Sequence, residues 1–205
     1  MRSFRNSLIG RLPTLLGGLA LVLGVASTTV SAASYSADSS ASYFPLNVGN
    51  SWSYRCSAEG EFQFTKTLRL VSVIQRNNVQ YFRSELQVKN DKPLVYYMFV
   101  DDNNQVYSTP NTDLNGSELL VSANPKAGEF VGAMTVAGNE KIDLPALKQV
   151  NAIRIENFDR DDPNTPVEQR MEWMGRYYAR GIGLVMEADG LGGECVLVKY
   201  RIHSH

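Results

Sequence analysis

The chain has 205 residues, of which 43% are hydrophobic and 20% charged; 20 Lys and Arg stand against 21 Asp and Glu, giving a formal net charge of −1 at pH 7. This balance lacks the basic surface that nucleic acid or an anionic membrane needs, so we expect neither as a main partner. The length suits one domain with a well-buried core and is small for two.

The N-terminal segment has the three parts of an export signal. Three arginines, the last of them Arg11, form a basic head, and the apolar run over residues 15–25 is too short to cross a bilayer comfortably. Small residues up to Ala32 form a cleavage site. We predict that residues 1–32 are a cleaved signal peptide, which makes the mature protein periplasmic or secreted, with no membrane span. An uncleaved anchor with the same apolar run is the alternative.

The mature chain begins with a short polar stretch. Residues 33–42 are small and polar and predict a flexible leader, so the single predicted domain covers residues 43–205. Loss of the three arginines leaves 20 − 3 = 17 basic residues against 21 acidic ones, a net charge of −4. The mature protein is therefore less suited to polyanionic partners than the full chain is.

A two-residue period dominates the first half of the domain and predicts β-strands with one buried face. Trp52, Tyr54 and Cys56 alternate with polar residues, and the alternation resumes after a turn at 59–61. The apolar side chains that continue it are Phe62, Phe64, Leu68, Leu70, Phe82 and Leu86. The uninterrupted apolar run at 94–100 predicts a strand that is covered on both faces.

The second half is less regular but adds further strand candidates. They lie at 119–121, 130–136, 150–155, 167–178, 182–187 and 194–202, separated by turns that contain Gly or Pro. No strand–helix alternation supports a parallel sheet. The sequence therefore predicts an all-β antiparallel fold with roughly nine or ten strands and little helix.

The mature chain has two cysteines, Cys56 and Cys195, near opposite ends of the domain. In an oxidising compartment an isolated pair of this kind predicts one disulfide, and two buried free thiols are the alternative. The loop that the bond closes is nearly the whole domain, so its closure adds about 4–5 kcal/mol in the chain-entropy model.

Catalytic and metal-binding patterns are weak in this sequence. The two histidines, His203 and His205, lie at the C-terminus, so a Ser–His–Asp site would have to use a terminal histidine and a zinc site lacks internal His or Cys ligands. A carboxylate pair for glycoside chemistry meets only in three dimensions and is not visible in a sequence. We expect no enzymatic activity, no metal and no cofactor.

Two longer motifs resemble those of a largely uncharacterised group of exported bacterial proteins. FPLNVGNSWSY at 44–54 resembles an opening motif (Y/F)PLxVGNxWxY, and YYARGIGLV at 177–185 resembles a closing motif YYAxGxGLV. The segment at 124–130 is similar to a degraded middle motif. The resemblance implies an architecture like that of lipoprotein carriers, with a strongly curved antiparallel sheet or open half-barrel around an apolar concave face.

Within that resemblance the motif residues have structural roles only. Pro45 fixes the entry to the first strand, Gly49 permits a turn, and Trp52 anchors the sheet. Understood members of the carrier group transport acyl chains or lipids across the bacterial envelope, whereas this chain has no evident lid helices. No catalytic or ligand-binding residue is carried over from the resemblance.

Two functions of different classes follow. The first is a soluble envelope binding or carrier protein for an apolar, lipid-like ligand, whose cavity would be lined by the six apolar side chains from Phe62 to Leu86 named above; their alternative role is simply core packing. The second is a non-catalytic module that docks on another envelope protein through a sheet edge or an apolar face. An apolar cavity of roughly 300 Å³ or more would favour the first function.

Overall fold

The computed structural model describes residues 42–158, 162–166, 168 and 172–203. The predicted signal peptide at 1–32 and the predicted leader at 33–42, apart from Ser42, lie outside the described residues. The described part is an all-β structure in which every pair of neighbouring strands is antiparallel.

Twelve strands form one sheet in the described residues. They are β1 (Ser51–Ala58), β2 (Glu61–Arg76), β3 (Val79–Val88), β4 (Leu94–Val100), β5 (Val106–Thr109), β6 (Glu118–Val121), β7 (Phe130–Val131), β8 (Met134–Ile142), β9 (Val150–Glu156), β10 (Met174–Ala179), β11 (Gly183–Asp189) and β12 (Gly193–Arg201). Their order is β6-β5-β4-β3-β2-β1-β12-β11-β10-β9-β8-β7. One half of the sheet is β1–β6 and the other is β7–β12, and within each half strands that follow one another in the chain are paired. The pairing of β1 with β12 joins the two halves.

The count of nine or ten strands predicted from the sequence is therefore wrong, and the hairpin at Gly132 is one reason. Gly132 has a φ of 60°, which a glycine adopts at little cost, and the chain reverses there. The single candidate at 130–136 thus becomes two paired strands, β7 and β8. Strand β7 has only two residues, too few to show a two-residue period in the sequence.

The sheet is strongly curved and nearly closed. Arg176 in β10 and Glu118 in β6 form an ion pair at 2.8 Å, although eight strand spacings separate these strands in the sheet order. In a flat sheet, eight spacings of about 4.8 Å would hold the two strands roughly 38 Å apart. The edge strands β6 and β7 also approach each other without forming a ladder between them. The predicted curvature is confirmed, and the sheet is closer to closure than an open half-barrel.

The opening and closing motifs contact each other. The indole Nε1 of Trp52 donates a hydrogen bond to the carbonyl of Ile182, and the hydroxyl of Tyr54 donates to the carbonyl of Leu184 at 2.9 Å. Phe44 packs on Trp52 and on Tyr178, with ring centroids 5.0 and 6.2 Å apart. The two motifs therefore build one end of the core.

Two buried asparagines of the opening motif bind the C-terminal strand. Asn50, which is fully buried, donates to the carbonyl of Pro45 and accepts a hydrogen bond from the backbone N–H of His203, at 2.9 and 2.8 Å. Asn47 donates to the carbonyl of His203 at 2.9 Å. The segment before β1 is thus fixed against the end of β12.

Candidate functional site

The concave face has two ends that differ in chemistry. We call them the Trp52 end and the Cys56 end, because β1 runs from Trp52 at one to Cys56 at the other. The Trp52 end is mostly apolar and includes Phe44, Trp52 and Val106, all of them buried. The Cys56 end carries several charged side chains.

A pocket of about 380 Å³ lies at the Trp52 end, and we call it the Arg180 pocket. Its apolar wall consists of Tyr43, Val100, Val106 and Val121. Its polar residues include Ser122, Asn124 and Arg180. Four separate parts of the chain supply these side chains: the segment before β1, the β4–β5 hairpin, the chain after β6 and the β10–β11 turn.

Local contacts hold the wall of the pocket in place. The backbone N–H of Gly181 donates to the carbonyl of Ser42 at 2.7 Å, which binds the segment before β1 to the β10–β11 turn. The guanidinium of Arg180 lies 4.4 Å from the ring centroid of Tyr43, a cation–π contact. Arg180 also donates to the side-chain oxygen of Asn124 at 3.2 Å. These contacts give the guanidinium a fixed position at the rim.

Ser122 is the unusual member of the pocket. Its residue surface is only 6% exposed, and its hydroxyl has no hydrogen-bond partner within the part of the chain that the structure describes. A buried hydroxyl without a partner costs about 1–3 kcal/mol. The hydroxyl lines a space where a bound polar atom could satisfy it.

At the Cys56 end, four charged side chains form what we call the charged cluster: Lys66, Glu118, Arg176 and Glu187. Lys66 pairs with Glu187, and Arg176 bridges Glu118 at 2.8 Å and Glu187 at 3.9 Å. The exposed fraction of each of these side chains lies between 15% and 55%, so the cluster is partly hydrated. The paired charges neutralise each other, and the cluster contributes chiefly to joining the walls of the sheet.

Three tyrosines lie beside the charged cluster. Burial raises the pKa of Tyr54 well above the ordinary value of 10.0, and the carboxylate of Glu187 raises it further. Burial and Glu187 also raise the pKa of Tyr96, against an opposing effect of Arg176. For Tyr178 burial is again the largest cause, and Arg176 opposes it. These phenols stay protonated at neutral pH, and none is placed to act as a base.

A second pocket, of about 440 Å³, is lined by residues at the start of β1 and its neighbours. Ser51 pairs with Arg69 on one side and Arg201 on the other, and all three line this pocket. Both arginines are exposed, and Arg69 lies opposite Glu85 of the neighbouring strand β3. The open position and the exposed arginines favour a hydrated surface cleft.

The side chains predicted from the sequence to line a cavity occupy different environments. Leu68, Leu70 and Phe82 are buried in the core, and Phe64 and Leu86 are partly buried against it. Phe62 is 61% exposed. None of the six lines the Arg180 pocket, and Leu70 lines the second pocket. Their role as the wall of a ligand cavity stays a prediction.

Cys56 and Cys195 form a disulfide that links β1 to β12. The two residues are directly opposite in the ladder, with a Cα–Cα distance of 4.0 Å. The bond therefore joins the two halves of the sheet at the pairing that connects them.

Within residues 42–158, 162–166, 168 and 172–203, no three or more His, Cys, Asp or Glu side chains lie together as a metal site would require. No helix in these ranges is long and apolar enough to cross a membrane.

Comparison with known proteins gives a structural likeness. No family profile matches the chain, and no curated protein is significantly similar in sequence. Among solved structures, it resembles a protein of Bacteroides fragilis NCTC 9343 that is classed as exported and as having a YmcC-like fold. It also resembles a protein of Parabacteroides distasonis ATCC 8503 that is classed as a lipoprotein. Each match has a TM-score of 0.53 and 13% identity, and covers 78% of this chain and 98% of the other.

The fold of this chain is similar to that YmcC-like fold. Because the identity is only 13%, the likeness extends to the curved antiparallel sheet and carries no activity, ligand or site residue with it. The curved sheet places the residues of the Arg180 pocket together, but the chemistry of the pocket comes from this chain's own side chains.

Proposed function

We propose that the protein is a non-catalytic binding or carrier protein of the bacterial envelope and that the Arg180 pocket holds a small apolar or lipid-like ligand. The observation that carries the proposal is the pocket itself, a space of about 380 Å³ with an apolar wall and a few polar groups at its rim. Ligand sites in proteins typically have volumes of about 300–1,000 Å³ and this distribution of apolar and polar groups.

The envelope location has separate support. The sequence begins with a predicted export signal, and the two structural relatives are classed as an exported protein and a lipoprotein. The disulfide between Cys56 and Cys195 suits an oxidising compartment such as the periplasm. Signal cleavage after residue 32 is part of this proposal.

An environment-sensitive naphthalene dye tests the binding function. The delipidated mature protein is expected to bind one equivalent of dye with increased fluorescence. Ala123 lines the pocket and is only partly buried, so Ala123→Trp fills the space without replacing a core residue. We expect A123W to lose dye binding. Val95→Trp, at a position that is 37% exposed and does not line the pocket, is the control and should keep it.

The alternative is a non-catalytic docking module without a ligand. The exposed ring of Phe130 in edge strand β7, 75% of whose residue surface is accessible, favours a role of this kind. A docking module predicts that A123W leaves dye binding unchanged and that crosslinking in intact cells captures a stable envelope partner. The binding proposal predicts the opposite dye result.

A further inference from the structure

The second pocket, of about 440 Å³, lies on the outer face of the sheet and shares no described residue with the Arg180 pocket. Trp52 is fully buried on the concave side, so its neighbour Ser51 faces outward. The residues directly opposite Ser51 in the two adjoining ladders are Arg69 of β2 and Arg201 of β12, and both line the pocket. The pocket therefore has an arginine on each side of a serine.

The ladder sets the spacing of the two arginines. Directly opposite residues of antiparallel strands have Cα atoms about 5 Å apart, so the Cα atoms of Arg69 and Arg201 are about 10 Å apart, with Ser51 between them. Long side chains on one face of a sheet make contacts over distances of this kind. The two guanidinium groups can therefore reach one small group that lies over Ser51.

Backbone hydrogen bonds hold the floor of the second pocket. The N–H of Gly49 donates to the carbonyl of Leu70 at 2.8 Å, and the N–H of Leu70 donates to the carbonyl of Asn50 at 3.0 Å. The next residue, Val71, is left out of the β2–β3 register, where the ladder has a bulge. Bulges often re-aim side chains next to binding sites. All four of these residues line the pocket, so its shape is set by the fold.

The positive charge of the two arginines is not used elsewhere in the described part of the chain. Within residues 42–158, 162–166, 168 and 172–203, neither Arg69 nor Arg201 has an ion pair, a hydrogen bond or a ring contact from its side chain. The carboxylate opposite Arg69, that of Glu85, forms an ion pair with Arg83 instead. Of the described residues that line the pocket, only the two arginines are charged. An anion in the pocket thus meets two positive charges.

This arrangement favours a small dianion with several oxygens. A phosphate monoester carries a charge of about −1.5 to −2 at pH 7 and has three strong acceptor oxygens. Arginine binds phosphate through two parallel hydrogen bonds, a geometry that lysine cannot match. The predicted mature chain has a negative net charge, so the site is a local one and suits a small anion better than an extended polyanion.

We propose that the second pocket binds a phosphate monoester, with Arg69 and Arg201 donating hydrogen bonds to its oxygens from either side and the hydroxyl of Ser51 donating from between them. The phosphate group belongs either to a soluble ester, such as a sugar phosphate, or to a lipid headgroup. This inference is independent of the Arg180 pocket and of the ligand proposed for it.

Methyl phosphate and methyl sulfate test the charge match, since at pH 8 the first is a dianion and the second a monoanion of similar shape. Both are titrated into the mature protein at low ionic strength, where surface charges are least screened, and backbone amide shifts are followed by NMR. Saturable shifts are expected at Ser51 and its two opposite residues. Methyl phosphate should bind about fivefold more tightly than methyl sulfate, the effect of one further charge at an exposed site.

Charge-removing variants test the assigned residues. Arg69→Gln and Arg201→Gln should each weaken methyl phosphate about fivefold, and the double variant should show no saturable shift. Arg55→Gln is the matched control, because Arg55 is exposed on the same face of β1, four residues from Ser51, and does not line the pocket. It removes the same charge and should leave the affinity unchanged. The dispersion of each spectrum checks that the variant is folded.

Two further probes identify the source of the phosphate. Flotation with phosphatidic acid vesicles but not with phosphatidylglycerol vesicles, lost in the double variant, would assign a lipid headgroup. Saturation by glycerol 3-phosphate without flotation would assign a soluble ester. Equal affinity for methyl phosphate and methyl sulfate, an equal loss in R55Q, or absence of saturable shifts would overturn the inference. None of these results bears on the dye-binding test, because A123W alters a different pocket.

Discussion

Gly183 lies directly beneath the indole of Trp52, where a β-carbon would come within 3.0 Å of the indole Nε1. The φ of Gly183 is +109°, a conformation that other residues rarely adopt. The closing motif therefore needs glycine at this position for two reasons, one steric and one conformational. The steric reason arises because Trp52 of the opening motif packs on the start of β11.

Replacing Gly183 should destabilise the fold. We expect Gly183→Ala to lower the free energy of unfolding by about 2–4 kcal/mol, combining backbone strain with displacement of the buried indole. Gly60→Ala is the matched control, because Gly60 also has a positive φ of 81° but nothing lies within 4 Å of its added β-carbon. Urea unfolding should show a clearly smaller loss for G60A; equal losses would mean that the contact with Trp52 is unimportant.

The hydroxyl of Tyr54 should contribute measurably to stability. Tyr54→Phe removes its hydrogen bond to the carbonyl of Leu184 and leaves that carbonyl without this donor. We expect a loss of about 1–2 kcal/mol in chemical denaturation. Tyr200→Phe, at a position that is 37% exposed, should change stability by less than about 0.5 kcal/mol. A neutral Y54F would show that the two motifs are held together by packing alone.

Part of this structure could be predicted because local patterns in the sequence encode it. Alternation around Trp52 and Tyr54 correctly predicted β1. The apolar run at 94–100 correctly predicted a strand, but the prediction that it is covered on both faces is wrong for its first two residues, since Leu94 and Val95 are exposed. Met98 is in the main core, while Phe99 packs against Tyr81 and Tyr107 outside that core cluster, at centroid distances of 5.4 and 5.1 Å. These features are encoded by residues that are close in the sequence.

The Arg180 pocket could not be predicted in this way. Tyr43, Ser122 and Arg180 are far apart in the sequence, and only the near closure of the sheet brings them to one end of the concave face. The sequence marks two of them: Tyr43 directly precedes the opening motif, and Arg180 lies within the closing motif. The charged cluster was missed because Glu118 and Arg176 alternate with neighbours that have no clear apolar or polar pattern.

Removal of the disulfide should weaken the junction between the two halves of the sheet. Cys56 and Cys195 are 139 residues apart, so the bond restricts a long loop in the unfolded chain. We expect the double variant Cys56→Ser/Cys195→Ser to lose about 2–5 kcal/mol in urea unfolding. Adding a reductant to the native protein should give a similar loss and should have no effect on the double variant. Equal stability with and without reductant would contradict this.

Alkaline pH should destabilise the protein through three of its buried or partly buried tyrosines. The pKa values of Tyr54, Tyr96 and Tyr178 are raised in the folded state above 10.0. The folded state therefore holds protons that the unfolded state releases, so the stability is complete below about pH 10 and falls as pH rises above it. Each such tyrosine contributes a slope of about 1.4 kcal/mol per pH unit.

Tyr96→Phe provides the check on that pH dependence. Tyr96 is less buried than the other two, so its replacement disturbs packing least. Between about pH 10 and about pH 12, we expect Y96F to reduce the slope of the unfolding free energy against pH by about the contribution of one titrating proton. A slope identical to that of the wild type would show that Tyr96 titrates alike in the folded and unfolded states.

Native mass spectrometry of the protein purified from the envelope tests the binding function most directly. The wild-type protein is expected to carry a small molecule that is released on denaturation, and A123W, purified in parallel, should carry none, while V95W should behave like the wild type. An adduct of equal abundance in A123W would place the ligand outside the Arg180 pocket. Its reproducible absence from the wild type, before and after incubation with apolar ligands, would contradict the binding function itself.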